Sequence, residues 1–295
     1  MTRYQKEIVI KNAFFTLSLL SIMVLGLIVI FLFREGLPIF REVSLRDFLF
    51  GREWYPTYDP PSYGIWPLIV ASLIVTFFSS LLAVPLGVLS AVYISEIAPP
   101  AIKEILKSII ELLAGLPSVV LGFFGMVTVA PWLQETFDLP TGLNIVNASA
   151  ILALMAVPTI SSISEDALYA VPQDFKEASY ALGATKFETI ARIIVPAALS
   201  GISTAVILGM ARAIGETMVV LMVAGGAAAI PESIFDSVRP MPASIAAEMG
   251  EAPFRSGHYH ALFATGIVLF FMTLAFNLIA DYLAQKFKEV GSATL

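Results

Sequence analysis

Six long apolar runs restrict this chain to a bundle of helices that cross a lipid bilayer. Each run holds about 20 apolar residues, the number that a helix needs to cross a hydrocarbon layer of roughly 30 Å. A helix bonds its own backbone groups internally, as lipid requires. Only 14 % of the residues are charged and the mean hydropathy is +0.85, values too apolar for a soluble domain. We predict an all-α integral membrane protein with six transmembrane helices, near residues 13–33, 65–94, 112–133, 145–163, 195–224 and 261–284.

The distribution of basic residues predicts the orientation of these helices. An even number of spans places both chain termini on the same side of the membrane. Lysine and arginine are enriched in cytoplasmic loops. The segments before residue 13, at 95–111, at 164–192 and after residue 284 carry more of them than the opposite loops do. We therefore predict that the N and C termini are both cytoplasmic.

Two domains are predicted from the order of the runs. The first run is too long for a cleaved signal peptide and shows no small-residue cleavage site, so it is interpreted as a retained anchor. Residues 1–64 then form this anchor and the first external loop, and residues 65–295 form a core domain of five helices. Within the core, a polar cytoplasmic segment at about 164–194 joins spans four and five. Prolines and a glycine in the first external loop, residues 34–64, favour an extended cap, and residues 244–252 favour a short helix.

Composition excludes several classes of function. The net charge is -6 and basic residues do not cluster, so nucleic acid is not an expected partner. The chain has no cysteine, which excludes thiolate metal sites and cysteine nucleophiles. His258 and His260 have no obvious third ligand and are interpreted as exposed loop residues rather than a metal site. No glycine directly precedes a Lys-Ser or Lys-Thr pair, as an ATP-binding P-loop requires. We predict no catalytic residue, metal or bound cofactor in this chain.

The polar segment between spans four and five carries signals for two short helices. Pro172 suits the start of the first helix, and Asp174 and Glu177 lie near its positive N-terminal end. Gly183 predicts a left-handed stop. A capping box at residues 185–188, with threonine first and glutamate last, predicts that a second helix begins at once.

The first of these short helices has a small apolar ridge. Phe175, Ala178 and Leu182 recur at spacings of three and four, which places them on one helix face beside charged neighbours. Such a ridge fits either a groove on a partner protein or the surface of the membrane. Composition alone leaves both interpretations open.

The fifth run contains two charges that lipid disfavours. Its sequence at residues 209–217 places Arg212 and Glu216 one turn apart on the same face of an unbroken helix, where they can pair. An arginine at the centre of a membrane helix costs roughly 2.5 to 3.5 kcal/mol, so such residues persist where they pair or line a polar path. The residues by themselves leave open a structural ion pair and an anion pathway.

Several features of this run suit an anionic substrate. The planar fork of Arg212 matches an oxyanion better than a lysine would. The carboxylate of Glu216 can accept a proton from a hydrogen phosphate. Ser118, in the Pro117-Ser118 step of the third span, can donate to the same anion or can stabilise a helix kink.

One pattern in the polar segment is specific. Glu177-Ala178-Ser179, followed by Gly183 and later by Ile193 and Val195-Pro196, resembles the EAA loop shared by permease subunits of bacterial and archaeal ABC importers. Ser179 replaces an alanine of the usual pattern and Val195 replaces a common leucine. Neither substitution changes size or helical preference much.

The resemblance implies a fold and a partner. It implies the ABC importer type I permease fold, in which the loop forms a coupling helix that docks in a groove of an ATP-hydrolysing subunit. Carried over residue by residue, Glu177, Ala178 and Gly183 belong to that contact, and Phe175 and Leu182 lie on the same predicted surface. ATP and magnesium are then used by the partner ATPase.

Three further runs resemble the phosphate importer permeases. They are residues 111–125, 209–217 and 247–252, of which the last, with the long first external loop, resembles the PstC type rather than the PstA type. The resemblance implies that phosphate is delivered by a PstS-like extracytoplasmic binding protein. It also implies a PstA-like second permease and two PstB-like ATPases, with this chain as a multi-pass protein of the prokaryotic cell membrane.

The predicted pathway residues are therefore Arg212, Glu216, Thr217 and Ser118. The alternatives within the importer class are permeases for molybdate, sulfate or phosphonate, which share the coupling loop. A phosphate-sensing membrane scaffold is a further alternative, and ATP-dependent uptake separates it from a transporter. An intramembrane enzyme is disfavoured because the chain has no Gly-x-Ser-x-Gly, His-Glu-x-x-His or paired-aspartate motif.

Overall fold

The computed structural model of the chain describes the backbone of residues 3–292 and the side chains of residues 7, 10–279, 281 and 282. Residues 1, 2 and 293–295, at the ends of the two predicted domains, lie outside the described residues. The helices and strands are α1 (Arg3–Gly36), α2 (Leu45–Phe50), β1 (Trp54–Tyr55), β2 (Ser62–Tyr63), α3 (Trp66–Val92), α4 (Pro100–Ala114), α5 (Ser118–Phe124), α6 (Ala130–Phe137), α7 (Ile145–Tyr169), α8 (Gln173–Ala181), α9 (Lys186–Thr189), α10 (Val195–Ala197), α11 (Leu199–Ile214), α12 (Met218–Val223), α13 (Met241–Glu248) and α14 (Gly257–Ser292). A 3₁₀ helix at Leu37–Arg41 and π-helical turns at Tyr93–Ile97, Gly125–Val129 and Ile190–Ile194 complete the helical segments.

The membrane spans agree with the predicted class. Five helical stretches among the described residues are long and apolar enough to cross a membrane, namely Ile10–Arg41, Trp66–Ile97, Ser118–Phe137, Ile145–Tyr169 and Gly257–Ile279. A sixth is reached when Lys186–Ala197 and Leu199–Ile214, which meet at a bend of 69°, count as one span. The bend follows Pro196, which has no N–H to continue the helical hydrogen bonds.

The third span does not begin where its apolar run begins. Residues 112–114 belong to α4, a helix with no buried residue that ends at Ala114. Pro117 precedes the first residue of α5 in an extended conformation. Because proline lacks an N–H and disfavours a helical residue before it, the chain cannot continue from α4 into the membrane helix. The predicted span 112–133 is therefore wrong at its start, and the observed span is Ser118–Phe137.

Helix α7 is the centre of the bundle and packs against α3 and α11. Most of its residues are buried, including a row that contacts α3 and the residues around α12. Asn147 of α7 donates from Nδ2 to the carbonyl oxygens of Gly125 and Gly142, both at 3.0 Å. These bonds fix the start of the π-helical turn of the third span against α7. Helix α1 lies on the outside of the bundle, against α14, where Phe31 and Phe263 meet edge to face.

We name the two ends of the bundle by their segments. The coupling end carries residues 164–194, and the loop end carries residues 37–64 and 225–256. At the loop end the first external loop is more structured than the predicted extended cap. It contains α2 and the antiparallel pair β1–β2, and it buries Ile39, Phe48 and Trp54 against α14 and Met241. The short helix predicted at 244–252 is confirmed, with bounds Met241–Glu248.

The two histidines are not exposed loop residues, which corrects the prediction. Both lie in the first turn of α14. His258 is buried and its Nε2 lies 2.8 Å from Oε2 of Glu248. His260 donates from Nδ1 to the backbone oxygen of Glu35 at 2.6 Å. Sequence spacing did not indicate these contacts because both partners are supplied by other segments of the chain.

Candidate functional site

The fifth span is broken at the charged motif. Helix α11 ends at Ile214, and residues 215–217 are not helical before α12 begins at Met218. Oε1 of Glu216 accepts hydrogen bonds from the backbone N–H groups of Met218 (3.1 Å) and Val219 (3.3 Å). The glutamate thus satisfies two amides at the start of α12 and its negative charge lies at the positive end of that helix. The prediction of one unbroken helix across 195–224 is wrong.

This break separates the two charges that were expected to pair. Arg212 lies in the last turn of α11, whereas Glu216 lies beyond it, so the one-turn spacing no longer applies. Among the residues described, no ion pair joins Arg212 to Glu216. Arg212 instead donates from NH1 to the hydroxyl of Thr159 in α7, at 3.4 Å. Its side chain remains exposed, so most of its donors face open space within this chain.

Thr159 was not identified from the sequence. It follows Pro158 inside α7 and is half-buried. A threonine in an apolar run is unremarkable by residue type, because its hydroxyl commonly bonds a carbonyl of its own helix. Only the packing of α11 against α7 brings it to Arg212. The proline beside it is the one sequence signal that points to this position.

A knob-and-hole contact positions Arg212 beside Thr159. Ile160 fits between Gly87 of α3 and Gly209 of α11. A Cβ atom added to Gly87 would lie 2.7 Å from the side chain of Ile160, and one added to Gly209 would lie 2.5 Å from it. Small residues allow membrane helices to approach this closely. Arg212 lies three residues after Gly209, and Thr159 directly precedes Ile160. The contact therefore sets the level at which the guanidinium meets the hydroxyl.

We expect Gly209→Ala to destabilise the protein by about 1–3 kcal/mol, because the new methyl group would overlap Ile160 in a packed contact. The measurement is the midpoint of thermal unfolding of the purified protein in detergent. Gly26→Ala is the matched control, since Gly26 is also helical and has nothing within 4 Å of the added atom. Equal midpoints for the two variants would show that Ile160 does not fix α11.

Ser118 lies at the level of the break in the fifth span. Helices α5 and α12 run parallel, with Gly122 against Met222 and Gly125 against Val223. Gly122 also lies against Val219, and Ser118 is one turn before Gly122. Ser118 is therefore level with the residues just before Val219, which form the break. Ser118 is half-buried, and within the described part of the chain its hydroxyl makes no hydrogen bond with Arg212, Glu216 or Thr217. Thr217 donates to the carbonyl of Gly215 at 3.4 Å, inside the break.

The predicted coupling segment forms as two short helices. Helix α8 covers the EAA motif and is followed by Gly183 at φ +86°, the left-handed stop that was predicted. Both hydrogen bonds of the capping box at the start of α9 are present: the side chain of Thr185 accepts from the N–H of Glu188, and the side chain of Glu188 accepts from the N–H of Thr185. Hydrogen bonds from the backbone N–H and the hydroxyl of Thr185 lower the pKa of Glu188, which keeps this cap ionised. These local predictions are confirmed.

The coupling ridge, defined as Phe175, Ala178 and Leu182, is exposed along its whole length. The side chain of Leu182 is 90 % exposed. Glu177 is also exposed, and Phe187 of α9 adds a further exposed apolar side chain that the motif did not indicate. Within this chain the ridge covers no core, so it is free to meet another surface.

Two polar contacts hold α8 in place. Nζ of Lys176 lies 2.8 Å and 3.0 Å from the carboxylate oxygens of Glu96, at the end of the second span. The hydroxyls of Ser179 and Thr189 share a buried hydrogen bond of 2.9 Å between α8 and α9. Ser179 is one of the two residues that depart from the usual EAA pattern. Its hydroxyl therefore has a structural role here that an alanine could not supply.

A third polar contact joins α4 to α7 at the coupling end. Glu165 is 6 % exposed, and its carboxylate lies 3.3 Å from Nζ of Lys103 and 3.5 Å from Nζ of Lys107. The sequence interpretation placed Glu165 at the start of the cytoplasmic segment, but α7 continues past it to Tyr169. The spacing of the two lysines, one turn apart on α4, is the signal that identifies them as partners of one acid.

The arrangement of these elements agrees with a known family. Residues 83–289 match the family described as binding-protein-dependent transport system inner membrane component. The chain belongs to this family. The permease is accordingly an inner-membrane protein and a transport subunit, and ATP is hydrolysed by separate ATPase subunits. Membership also implies a substrate-binding protein as a partner.

Relatives with similar sequences cover most of the permease. A protein of Bacillus subtilis described as probable ABC transporter permease protein YqgH is 41 % identical over 263 residues, 88 % of this chain and 85 % of that protein. The phosphate transport system permease protein PstC of Mesorhizobium japonicum is 31 % identical over 288 residues, 91 % of this chain and 87 % of that protein. The resemblance to PstC permeases is thus confirmed.

Solved structures confirm the fold of the permease. A chain of a bacterial alginate ABC transporter, solved with a periplasmic protein, has a TM-score of 0.66 at 17 % identity and covers 97 % of this chain and 98 % of its own. A chain of the MetNI methionine ABC transporter in an inward-facing conformation has a TM-score of 0.57 at 20 % identity, covering 76 % and 94 %. The permease therefore has the ABC importer type I fold that the coupling loop implied.

Proposed function

We propose that this permease forms half of the pathway of an ATP-driven phosphate importer. The proposal rests mainly on the N–H donors of Arg212 that make no hydrogen bond within the described residues. Its guanidinium has five N–H donors, and in the part of the chain that the structure describes it makes one hydrogen bond, to Thr159. The remaining donors form a fork that fits an oxyanion. The similarity to PstC permeases favours phosphate among the oxyanions.

The contacts of Glu216 support an anion that carries a proton. Both backbone donors at the start of α12 bond Oε1. In the described residues Oε2 accepts no hydrogen bond, so it is available as an acceptor. A carboxylate repels a fully ionised anion but accepts the O–H of a hydrogen phosphate. Arg212, at the end of α11, and Glu216, inside the break, would thus act on the same substrate rather than neutralise each other.

We propose that the two ends of the bundle bind different partners. The coupling end faces the cytoplasm, and the coupling ridge docks on one of two PstB-like ATPases. A PstA-like permease supplies the other half of the pathway, and a PstS-like binding protein delivers phosphate at the loop end. ATP binding closes the ATPases, moves the coupling helix with them and opens the pathway towards the loop end. Hydrolysis returns the complex to the inward-facing state.

The test is uptake of radiolabelled phosphate into proteoliposomes that contain the complete complex and its binding protein. We expect uptake that requires ATP, stops with a non-hydrolysable analogue, and is not reduced by excess sulfate or molybdate. Competition by one of those anions would assign the permease to that substrate instead. Phosphate-dependent binding without ATP-driven accumulation would favour the sensing scaffold.

We expect Thr159→Val to lower the rate of phosphate uptake about fivefold, the effect of losing roughly 1 kcal/mol from one hydrogen bond that orients Arg212. Valine keeps the branched shape, and Thr159→Ser, which restores a hydroxyl, should recover most of the rate. Thr204→Val is the matched control. Thr204 is a half-buried residue of α11 whose hydroxyl donates to the carbonyl of Ser200 in its own helix and, among the described residues, to no other group. Equal rates for Thr159→Val and wild type would remove Thr159 from the pathway.

A further inference from the structure

A single carboxylate at the loop end gathers donors from four segments of the chain. Nε1 of Trp54, in the first external loop, lies 3.1 Å and 3.0 Å from Oε1 and Oε2 of Glu248. Arg239 forms an ion pair with Oε1, and Ser244 donates to the same oxygen at 3.1 Å. His258 of α14 lies 2.8 Å from Oε2. We call Glu248 and these four donors the Glu248 cluster.

The carboxylate of Glu248 is well enclosed by these groups. Its side chain is 13 % exposed and that of His258 is 8 % exposed. Because a carboxylate only accepts hydrogen bonds, Nε2 is the protonated ring nitrogen of His258. Both carboxylate oxygens are therefore satisfied by donors, as a charge removed from water requires. Loss of one donor leaves part of that charge unpaired.

Arg239 connects the Glu248 cluster to the pathway helix. Its Nε donates to the carbonyl of Gly226 at 2.6 Å, while the N–H of Gly226 donates to the carbonyl of Val238 at 3.1 Å. The N–H of Val238 in turn donates to the carbonyl of Ala224 at 2.8 Å, directly after α12. Gly225, between them, has φ +92°, so this tight turn requires glycine.

Helix α12 is thus held at both ends by a glutamate. Glu216 caps its first residues at the break, and Glu248 holds the turn at its last residues through Arg239. The helix has only six residues, so it has little hydrogen bonding of its own to keep it in place. The position of its loop-end half depends on contacts such as the one with Gly226.

We propose that Glu248 is a positioning residue for transport, which fixes the end of α12 through Arg239 and joins it to the first external loop through Trp54. Trp54 lies outside residues 83–289 that match the family. The first external loop is therefore a mechanical part of the pathway rather than a passive cap. A displacement of this loop changes the hydrogen bonds that hold α12. The inference does not depend on which substrate is carried.

The test uses the absence of cysteine in this chain. Val223→Cys places one thiol at the end of α12, at a position that is fully buried. The rate of its reaction with a polar maleimide is measured in the assembled complex. We expect Glu248→Gln to raise this rate about tenfold, because an amide nitrogen in place of an oxygen repels the donors that hold the turn.

Two further variants make the result specific. Glu251→Gln is the matched control, because Glu251 is exposed and, in the described residues, its side chain has no hydrogen bond or ion pair. Its labelling rate should equal that of the Val223→Cys parent. Trp54→Phe leaves the ion pair intact but removes the indole N–H together with part of a buried ring system, and we expect it to raise the labelling rate about threefold.

A functional readout separates positioning from general stability. Against the cysteine-free background, Glu248→Gln and Trp54→Phe should lower the stimulation of ATP hydrolysis by the binding protein and leave basal hydrolysis by the complex unchanged. Unchanged labelling in both variants overturns the proposal. So does an equal loss of basal and stimulated hydrolysis. If Glu248→Gln does not assemble, Trp54→Phe decides, and labelling at the parent rate then overturns the proposal.

Discussion

Replacing Arg212 by glutamine should reduce ATP-driven phosphate uptake by at least about 100-fold, because two charged hydrogen bonds contribute about 1.5–3 kcal/mol each and a factor of ten corresponds to about 1.4 kcal/mol. The variant should assemble normally. Arg212 is exposed within the chain, and among the described residues its one hydrogen bond is the long contact with Thr159. The measurement is the initial rate of radiolabelled phosphate uptake in proteoliposomes with saturating ATP and binding protein.

Arg52→Gln is the control for this change of charge. Arg52 is an exposed residue of the first external loop, away from α11. It should transport phosphate at the wild-type rate. Arg212→Lys keeps the charge but loses the planar fork, so it should retain only part of the activity. Full uptake by Arg212→Gln would show that this arginine is a structural charge, and the oxyanion proposal would lose its main support.

A negative charge on the coupling ridge should disconnect the permease from its ATPase. Leu182 is 90 % exposed, so Leu182→Asp removes no packing from the chain itself. In the proposed complex the same side chain enters a groove, where an unpaired carboxylate is strongly disfavoured. We expect ATPase binding to weaken at least about 100-fold and uptake to be lost with it. Co-purification of the ATPase with the tagged permease measures the first effect directly.

Gln173→Asp adds the same charge to the same helix and is the matched control. Gln173 is the exposed first residue of α8, where an acidic side chain is favourable. It should bind the ATPase as the wild type does. A Leu182→Asp variant that still retains the ATPase would show that the ridge lies on the membrane surface, which is the second interpretation that composition left open.

Local sequence signals predicted the coupling segment well. Gly183 stops α8 in a left-handed conformation and Thr185 opens α9 with a capping box, both as expected. Each of these features depends on residues within one helical turn of each other. The exposure of Leu182 follows from the same local pattern, because an apolar ridge on a short polar helix finds no core beside it.

The geometry of the candidate site differs from the geometry that the sequence predicted. The charged motif indicated Arg212 and Glu216 as pathway residues, and their expected pairing required an unbroken helix. Helix α11 instead ends at Ile214, and the carboxylate of Glu216 bonds the amides of the next helix. The carboxylate of Glu216 could bond either the guanidinium of Arg212 or the backbone N–H groups that follow it. Sequence spacing cannot choose between the two, since both lie within a few residues of Glu216.

The sequence by itself determined the class of this protein, the approximate location of most of its membrane segments and the form of its coupling loop. These properties depend on the transfer of apolar runs into lipid and on hydrogen bonds between neighbouring residues. Tertiary structure alone decided that Thr159 meets Arg212, that Glu165 holds Lys103 and Lys107, and that Glu248 joins Trp54 to Arg239. Most of these contacts join residues that are far apart along the chain, and the sequence offers many other lysines, arginines and hydroxyls of the same chemistry as possible partners. Which donor reaches which acceptor is fixed by how the helices pack, and packing depends on side chains from the whole bundle at once.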